Sequence, residues 1–495
     1  MASSEDADRT YGNWRRPRSP GVGNLGLIGT VIMMGGLIIA VVLTLFSILI
    51  ALGWALVLGL VLIPLVVKDR HGRTLMQRGT ARLAWRRGVA SGANIYRSGP
   101  LGLAAHGTCK LPGLAAASVV HEARDSYNRP FALIQLRGHY SVVFSCGADG
   151  AALVDQDQID TWVAYWGGWL AGLSNEPSLV AAQVTVETAP DTGSKLAAEV
   201  DGQVKDTAPP LTRQVLREVV ETYPTGSAQV SVYVSVTYNA APRPGAKRRS
   251  PEEMARELGT RLPGLTAGLG MAGAGEARPM TARELAEMVR VAYDPTAAPL
   301  IAQAQREGGS GITWEDAGPT AAQESWGDYR HDSAWSISWG MSEAPRGEVL
   351  SSVLTSLLSP HRDIDRKRVS LLYRPHSPAE AAGIVERDRR EARFRVGGNK
   401  PQARDVVQLQ AAEQAAREEA KGAGILRFAL LATATVASRD RLPAAAAAID
   451  VLAAPARVRL RRMHGSQSTA FVANLPIGIV LPEHSLIPGT IRDAM

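Results

Sequence analysis

From Leu25 to Val67 the chain carries no charged side chain, and no other feature limits its fold so strongly. A bilayer's hydrocarbon core is about 30 Å thick and is crossed by about 20 apolar helical residues. As one helix the run would reach about 65 Å at 1.5 Å per residue, twice what a crossing needs. The economical arrangement is a transmembrane helical hairpin over 25–67, one arm near 25–45 and the other near 47–67. Arg15, Arg16 and Arg18 precede the run, and Lys68, Arg70, Arg73 and Arg78 follow it. Basic residues on both flanks place both ends in the cytoplasm. The expected location is the inner (plasma) membrane, multi-pass, with both termini cytoplasmic. A secretory signal has an apolar region of only about 7–15 residues and a small-residue cleavage site, which this run does not match. Arg15-Arg16 is followed by Pro17 and Arg18 rather than by an apolar segment of signal length, so topology explains it better than twin-arginine export.

The net charge is +7, but the excess is uneven. Lys68, Arg70, Arg73, Arg78, Arg82, Arg86, Arg87 and Arg97 face a single acid, Asp69, within 68–97. Leu75, Met76, Leu83 and Trp85 are interleaved with them, a pattern suited to a helix lying along lipid headgroups. A juxtamembrane Lys or Arg gains about 1 kcal/mol near anionic lipid. Lys68, Arg70, Arg73, Arg78, Arg82, Arg86 and Arg87 are therefore the candidate membrane-surface residues, with anionic lipid as their partner. Nucleic acid would also suit such a segment, but the adjacent membrane already accounts for it. The two cysteines, Cys109 and Cys146, are too few for a zinc framework and should stay reduced in a cytosolic body. Arginine far outnumbers lysine, and alanine and glycine abound, as in high-GC bacterial proteins.

Residues 1–24 are polar and rich in Gly and Pro, the composition of a disordered tail. Residues 68–128 read as a basic juxtamembrane segment. An α+β subdomain then spans 129–240. Its strands are 131–136 and 140–144, joined at Arg137-Gly138-His139, then 180–187 and 229–239. Val230, Val232, Val234 and Val236 share one face of the last. Helix 156–173 sets Ile159, Trp162, Val163, Trp166, Trp169, Leu170 and Leu173 on one stripe, better suited to covering a sheet than to holding a ligand. A second helix spans 211–222. Pro, Gly and basic residues over 240–249 mark a linker into a helical connector, 241–330. Ser250-Pro-Glu-Glu253 and Thr281-Ala-Arg-Glu284 open its helices as capping boxes, with 264–279 irregular between them.

A second α+β subdomain, 331–481, repeats the alternation. Its strands are 333–339, 369–373, 425–437 and 457–463. Its helices are 346–358, one from Ser377-Pro-Ala-Glu380 to about residue 394, then 403–421 and 440–453. Residues 482–495 form a tail. The fold class is α+β: a two-helix transmembrane hairpin followed by two ferredoxin-like α/β sandwich subdomains.

No catalytic motif stands out, and neither a catalytic nor a cofactor- or metal-binding residue is assigned. A Walker A loop needs Gly-Lys-Ser or Gly-Lys-Thr to cradle phosphate; neither tripeptide occurs, and the nearest stretch is Thr192-Gly-Ser-Lys195. Gly-x-Gly-x-x-Gly occurs at Gly21/Gly23/Gly26 and Gly268/Gly270/Gly273. The dinucleotide fingerprint must follow a strand and open a helix, which neither context offers. The nine histidines include His121-Glu122 and His361-Arg-Asp363, without the three-ligand clustering that catalytic zinc needs. Gly-x-Ser-x-Gly is absent. Asp363/Asp365 and Glu386/Asp388 sit among arginines as surface ion pairs.

The membrane hairpin and the two-part body together resemble the amino-terminal half of the large conjugation ATPases of type IV secretion systems. Some relatives of that family have a small two-helix membrane protein fused at the front. The resemblance lies in strand 333–340, strand 369–375 ending in Arg374-Pro375, helix 378–393, and segments 427–436, 442–452 and 457–467. It closes on Phe471-x-x-x-Leu475-Pro476-Ile477-Gly478. In that family such a Leu-Pro stretch comes just before the nucleotide-binding domain; here the sequence ends at Met495, so the motor is expected to be a separate chain. The resemblance thus implies a non-catalytic scaffold that docks a separately encoded P-loop ATPase, as a homo- or hetero-oligomer, and it transfers no catalytic residue. The EccE components of actinobacterial type VII secretion are similar in anatomy, two membrane helices and a cytosolic α/β region; the Leu-Pro ending favours the conjugation family. A membrane-bound enzyme with a dispersed site is the reading from another class.

Overall fold

The computed structural model describes residues 10–12, 14, 25–99, 102, 107–148, 150, 154–191, 194–205, 207–222, 228–243, 245–345, 347–397 and 402–484. Most of the expected tail 1–24, and most of the tail 482–495, lie outside them. The described part of the first is not all tail. Thr10–Tyr11 form β1, paired antiparallel with Val349–Leu350.

Two compact units are distinguished, one built on Trp14–Asn94 and the other on Ile95–Met341 with Pro345–Ile479. In the first, α1 (Leu27–Thr44) and α2 (Ile48–Val66) are apolar helices separated by Leu45-Phe46-Ser47. Trp54 Nε1 of α2 donates to the Gly36 carbonyl of α1 at 2.9 Å, which satisfies the indole N–H among apolar neighbours. Among the described residues α2 alone is long and apolar enough to cross a membrane; the apolar part of α1, Gly29–Thr44, is shorter. The nineteen residues of α2 rise about 28 Å. A tight turn leads into α3 (Leu75–Ala90).

The second unit is α+β. It begins with β2 (Ile95–Arg97), β3 (Val119–Arg124), β4 (Pro130–Leu136), β5 (His139–Gly147) and α4 (Gln156–Leu173). Then come β6 (Leu179–Pro190), α5 (Ser194–Gln203), α6 (Pro210–Thr222), β7 (Ala228–Asn239), α7 (Pro251–Leu269), β8 (Glu276–Pro279), α8 (Ala282–Tyr293) and α9 (Ala298–Arg306). The strand-and-helix alternation resumes with β9 (Ala321–Glu324), β10 (Tyr329–His331), β11 (Ala334–Glu343), β12 (Val349–Leu350), α10 (Thr355–Leu358) and β13 (Arg366–Pro375). It closes with α11 (Pro378–Val396), α12 (Ala403–Ala420), β14 (Leu426–Val436), α13 (Leu442–Ala453), β15 (Arg459–Arg462) and α14 (Gln467–Ala473). The capping boxes at Ser250/Glu253, Thr281/Glu284 and Ser377/Glu380 all form.

The stretches 129–240 and 331–481, expected as separate subdomains, share one sheet. Its order is β2-β9-β10-β11-β14-β13-β6-β7-β5-β4-β3, with β8 added to β5 and β15 to β11. The halves meet where β13 pairs antiparallel with β6, Ser370 opposite Thr185 and Arg368 opposite Glu187. Outward from that join, β6-β7-β5-β4-β3 is matched strand for strand by β13-β14-β11-β10-β9.

One face of the sheet is apolar. Phe131, Leu133, Val142, Phe144, Val234 and Val236 pack against Met254, Leu258 and Leu262 of α7 and Trp169 of α4, as the tryptophan stripe leads one to expect. Trp166 and Trp169 stack with centroids 5.0 Å apart. On the other half, Ile337, Trp339, Ala434 and Val436 pack against Leu442, Ala445 and Ile449 of α13.

The opposite face carries Ser141, Gln183, Thr185, Thr237, Ser336, Ser338, Ser370 and Thr433, all buried. Buried hydroxyls need partners, and here many bond across strands, such as Thr185 with Ser370 at 2.8 Å and Ser338 with Thr433 at 2.9 Å. Others bond the segment following α14. Gln183 Nε2 donates to the Leu475 carbonyl at 3.2 Å, Thr237 to the Gly478 carbonyl at 3.2 Å, and Asn474 Nδ2 to Thr433 at 2.9 Å. The Leu475-Pro476-Ile477-Gly478 stretch is thus a strap across the hydroxyl-lined face. Gly478 is required there, with φ 77° and no room for a Cβ beside Ser141 and Thr237.

Four further expectations are corrected. Residues 264–279 are not irregular: α7 continues through Pro263 to Leu269 and β8 follows, because burial of Leu262, Leu265 and Leu269 outweighs weak helix propensity. Of the helix expected over 346–358, residues 347–358 form instead β12, turns and the short α10, since Val349–Leu350 pair with a distant strand. The segment 68–128 is not all juxtamembrane, because β2 and β3 belong to the sheet. Nor is 241–330 a mere connector: α7 covers the core, and β8 and β9 extend the sheet.

Candidate membrane interface

α3 is where the structure places most of the sequence-nominated basic residues, and its start is built with care. Thr74 Oγ1 accepts from the Gln77 amide at 3.2 Å, and Gln77 Oε1 accepts from the Thr74 amide at 3.3 Å. This is a capping box. Asp69 organises the turn before it, its Oδ1 accepting from the amides of His71 at 2.8 Å and Arg73 at 3.0 Å. Its Oδ2 pairs with the Arg78 guanidinium. Partial burial acts to raise the Asp69 carboxyl, but the bonds from Arg78, Arg73 and His71 outweigh it and hold the group at about 2. Leu75 N donates to the Val67 carbonyl at 3.1 Å, tying the helix start to the end of α2.

Along α3 the half-buried positions are Gln77, Ala81, Trp85 and Gly88, which fall within about 80° of arc at 100° per residue. The exposed side carries Arg78, Arg82 and Arg86 one turn apart, flanked by Leu75, Met76, Leu83 and Val89, which are 43–51 % exposed. Cations with apolar neighbours on the solvent side are what a headgroup layer accepts, because guanidinium groups meet phosphate while the aliphatic side chains enter the acyl boundary. Arg82, Arg86 and Arg87 make no ion pair among the described residues.

The seven nominated residues therefore separate. Arg78, Arg82 and Arg86 form one stripe, Arg87 sits on its flank, and Lys68 and Arg70 are exposed in the turn. Arg73 is half-buried, its backbone N–H engaged by Asp69. Neither Asp69 nor the cap Thr74-x-x-Gln77 is among the residues nominated from sequence, although the capping-box spacing is legible there.

The other motifs lie elsewhere in the fold. Gly268, Gly270 and Gly273 lie at the end of α7 rather than between a strand and a helix start. His121 bonds Gln135 at 2.8 Å, and His361 lies 3.6 Å from Asp363. Asp365 pairs with Arg441 at 2.5 Å and Glu386 with Arg389 at 2.9 Å. Cys146 is buried, which pushes its thiol up to about 11. His331 is buried between the Tyr293 carbonyl at 2.6 Å and Ser336 Oγ at 2.8 Å, and that burial lowers it to about 4. Among the described residues, no three His, Cys, Asp or Glu side chains are grouped to hold a metal ion.

Residues 18–77, which include α1, α2 and the Asp69 turn, match a family described as a domain of unknown function, DUF8461. No curated protein matches the chain.

Proposed function

We propose that this protein is a membrane-anchored, non-catalytic scaffold of a bacterial secretion or conjugation machine. In this reading α1 and α2 form a transmembrane hairpin with both ends in the cytoplasm, and α3 rests on anionic headgroups. The body consists of two ferredoxin-like halves that dock a separately encoded P-loop ATPase at the inner membrane. The observation that carries it is the exposed Arg78-Arg82-Arg86 stripe on a helix tied to the end of α2. The resemblance to the amino-terminal half of conjugation ATPases supports the rest.

Two measurements test the proposal. Affinity purification of the full chain from solubilised host membranes should recover a P-loop ATPase, identified by mass spectrometry; repeated recovery of none refutes the docking role. Single cysteines placed at exposed Leu300 and Phe394 should resist a membrane-impermeant thiol reagent on intact cells. Labelling from outside refutes the topology.

A further inference from the structure

The strand-for-strand match between the halves of the body breaks at one place. The outer side of β9 is taken by the three-residue β2, Ile95 opposite Gln323 and Arg97 opposite Ala321. The outer side of β3, the matching strand, pairs with no other strand among the described residues.

Hydrogen bonding shows which groups of β3 face that open side. The Asp125 amide donates to the Arg129 carbonyl at 3.0 Å and closes the β3–β4 turn. In an antiparallel ladder the bonded pairs alternate, so residues 119, 121 and 123 bond β4, while Val120, Glu122 and Arg124 turn their N–H and C=O outward. Ala132, opposite Glu122, agrees, because its N–H points away from β3 to the Met280 carbonyl at 2.9 Å. The Arg124 end is closed. Gly259 of α7 lies so near that a Cβ there would be 3.1 Å from the Arg124 carbonyl oxygen, and the Ser126 amide donates to the Gly259 carbonyl at 3.0 Å. Val120 and Glu122 remain open, a stretch as long as β2. Such a row of unpaired backbone groups is a template for another strand.

We infer that β3 accepts an antiparallel strand from a partner protein along Val120–Glu122, one with a Lys or Arg opposite Glu122 and an apolar residue opposite Val120. Both side chains lie on one face of the sheet, so the partner reads basic, any residue, apolar from its amino end. The exposed Glu122 carboxylate supplies the charge preference, because it pairs with no cation among the described residues. A second copy fits poorly. With only 120–122 open, β3 against β3 sets the two Glu122 side chains diagonally adjacent, and like charges across strands repel. The inference does not depend on the partner being an ATPase.

Amide hydrogen exchange of the full chain tests it, measured in host membranes and again after purification in detergent. The Val120 amide should exchange at least tenfold more slowly in membranes. In Glu122→Pro, which removes an N–H that only a partner uses, Val120 in membranes should return to the detergent rate while His121 and Ala123 stay protected. Glu122→Lys, which keeps the N–H, should lose the same protection through charge alone. Equal Val120 rates in both settings overturn the inference. So does slow exchange in detergent at every dilution, which means the chain closes its own edge, or slow exchange only at high concentration, which means a second copy is the occupant.

Discussion

Replacing Glu187 with glutamine should destabilise the body more than its position near a strand end suggests. Glu187 on β6 and Arg368 on β13 face each other across the join of the two halves and are 6 % and 2 % exposed. Arg368 Nε donates to Glu187 Oε2 at 2.7 Å, and Arg366 pairs with the other oxygen. Burial alone would raise the Glu187 carboxyl, but Arg368 and then Arg366 overcome it and lower it. Glutamine keeps the shape and leaves two guanidinium groups unpaired, and arginine cannot escape by losing its proton. Breaking a buried pair in this way costs about 3–5 kcal/mol. A Coulomb estimate agrees, about 4 kcal/mol for charges 4 Å apart at an effective dielectric near 20. Because the native pKa lies below the unfolded one, the ion pair's contribution is complete above about pH 4.3 and is lost as pH falls through the lower native value. The gap between wild type and Glu187→Gln should therefore close on acidification. Urea unfolding followed by tryptophan fluorescence, which reads the stacked Trp166 and Trp169, would measure it. A gap under about 1 kcal/mol at pH 7, or one unchanged down to pH 3, refutes the reasoning.

Gly478→Ala should cost about 1–3 kcal/mol, because a Cβ at φ 77° would strike Ser141 and Thr237 beneath the strap; an unchanged melting temperature refutes this. Leu258→Ala, which removes a fully buried α7 side chain, should cost about 2–5 kcal/mol by the same unfolding assay. Asp69→Asn loses the Arg78 ion pair and weakens the turn before α3. That should cost about 1 kcal/mol after allowance for solvent screening, seen as faster exchange of the His71 and Arg73 amides. Since the Asp69 carboxyl is held at about 2, below its ordinary value, its contribution is present at neutral pH and fades only as pH falls toward that value.

Patterns spanning a few residues were legible in the chain. The uncharged run places α1 and α2, and alternation in 229–239 places β7. The helical stripe through Trp166 and Trp169 places α4 against the core, and Ser250, Thr281 and Ser377 mark helix starts. The basic residues of the candidate interface were legible too, because charge next to an apolar run is a one-dimensional signal. Their spacing of four sets Arg78, Arg82 and Arg86 on one stripe; the pairing of Arg78 with Asp69 and the half-burial of Arg73 were not legible, since both arise from the turn before α3.

Sequence alone determined the elements whose cause is local: apolar length, side-chain period and capping chemistry. Tertiary structure decided the joining of β6 to β13 in one sheet, the recruitment of β2 and β3, the strap over the hydroxyl-lined face and the open stretch at Val120 and Glu122. Strand pairing is a contact between residues far apart in the chain, and short strands such as Ile95–Arg97 carry too few residues for any period to show. The serines and threonines of 141, 185, 237, 338, 370 and 433 look like surface positions until the strap that buries them is in place.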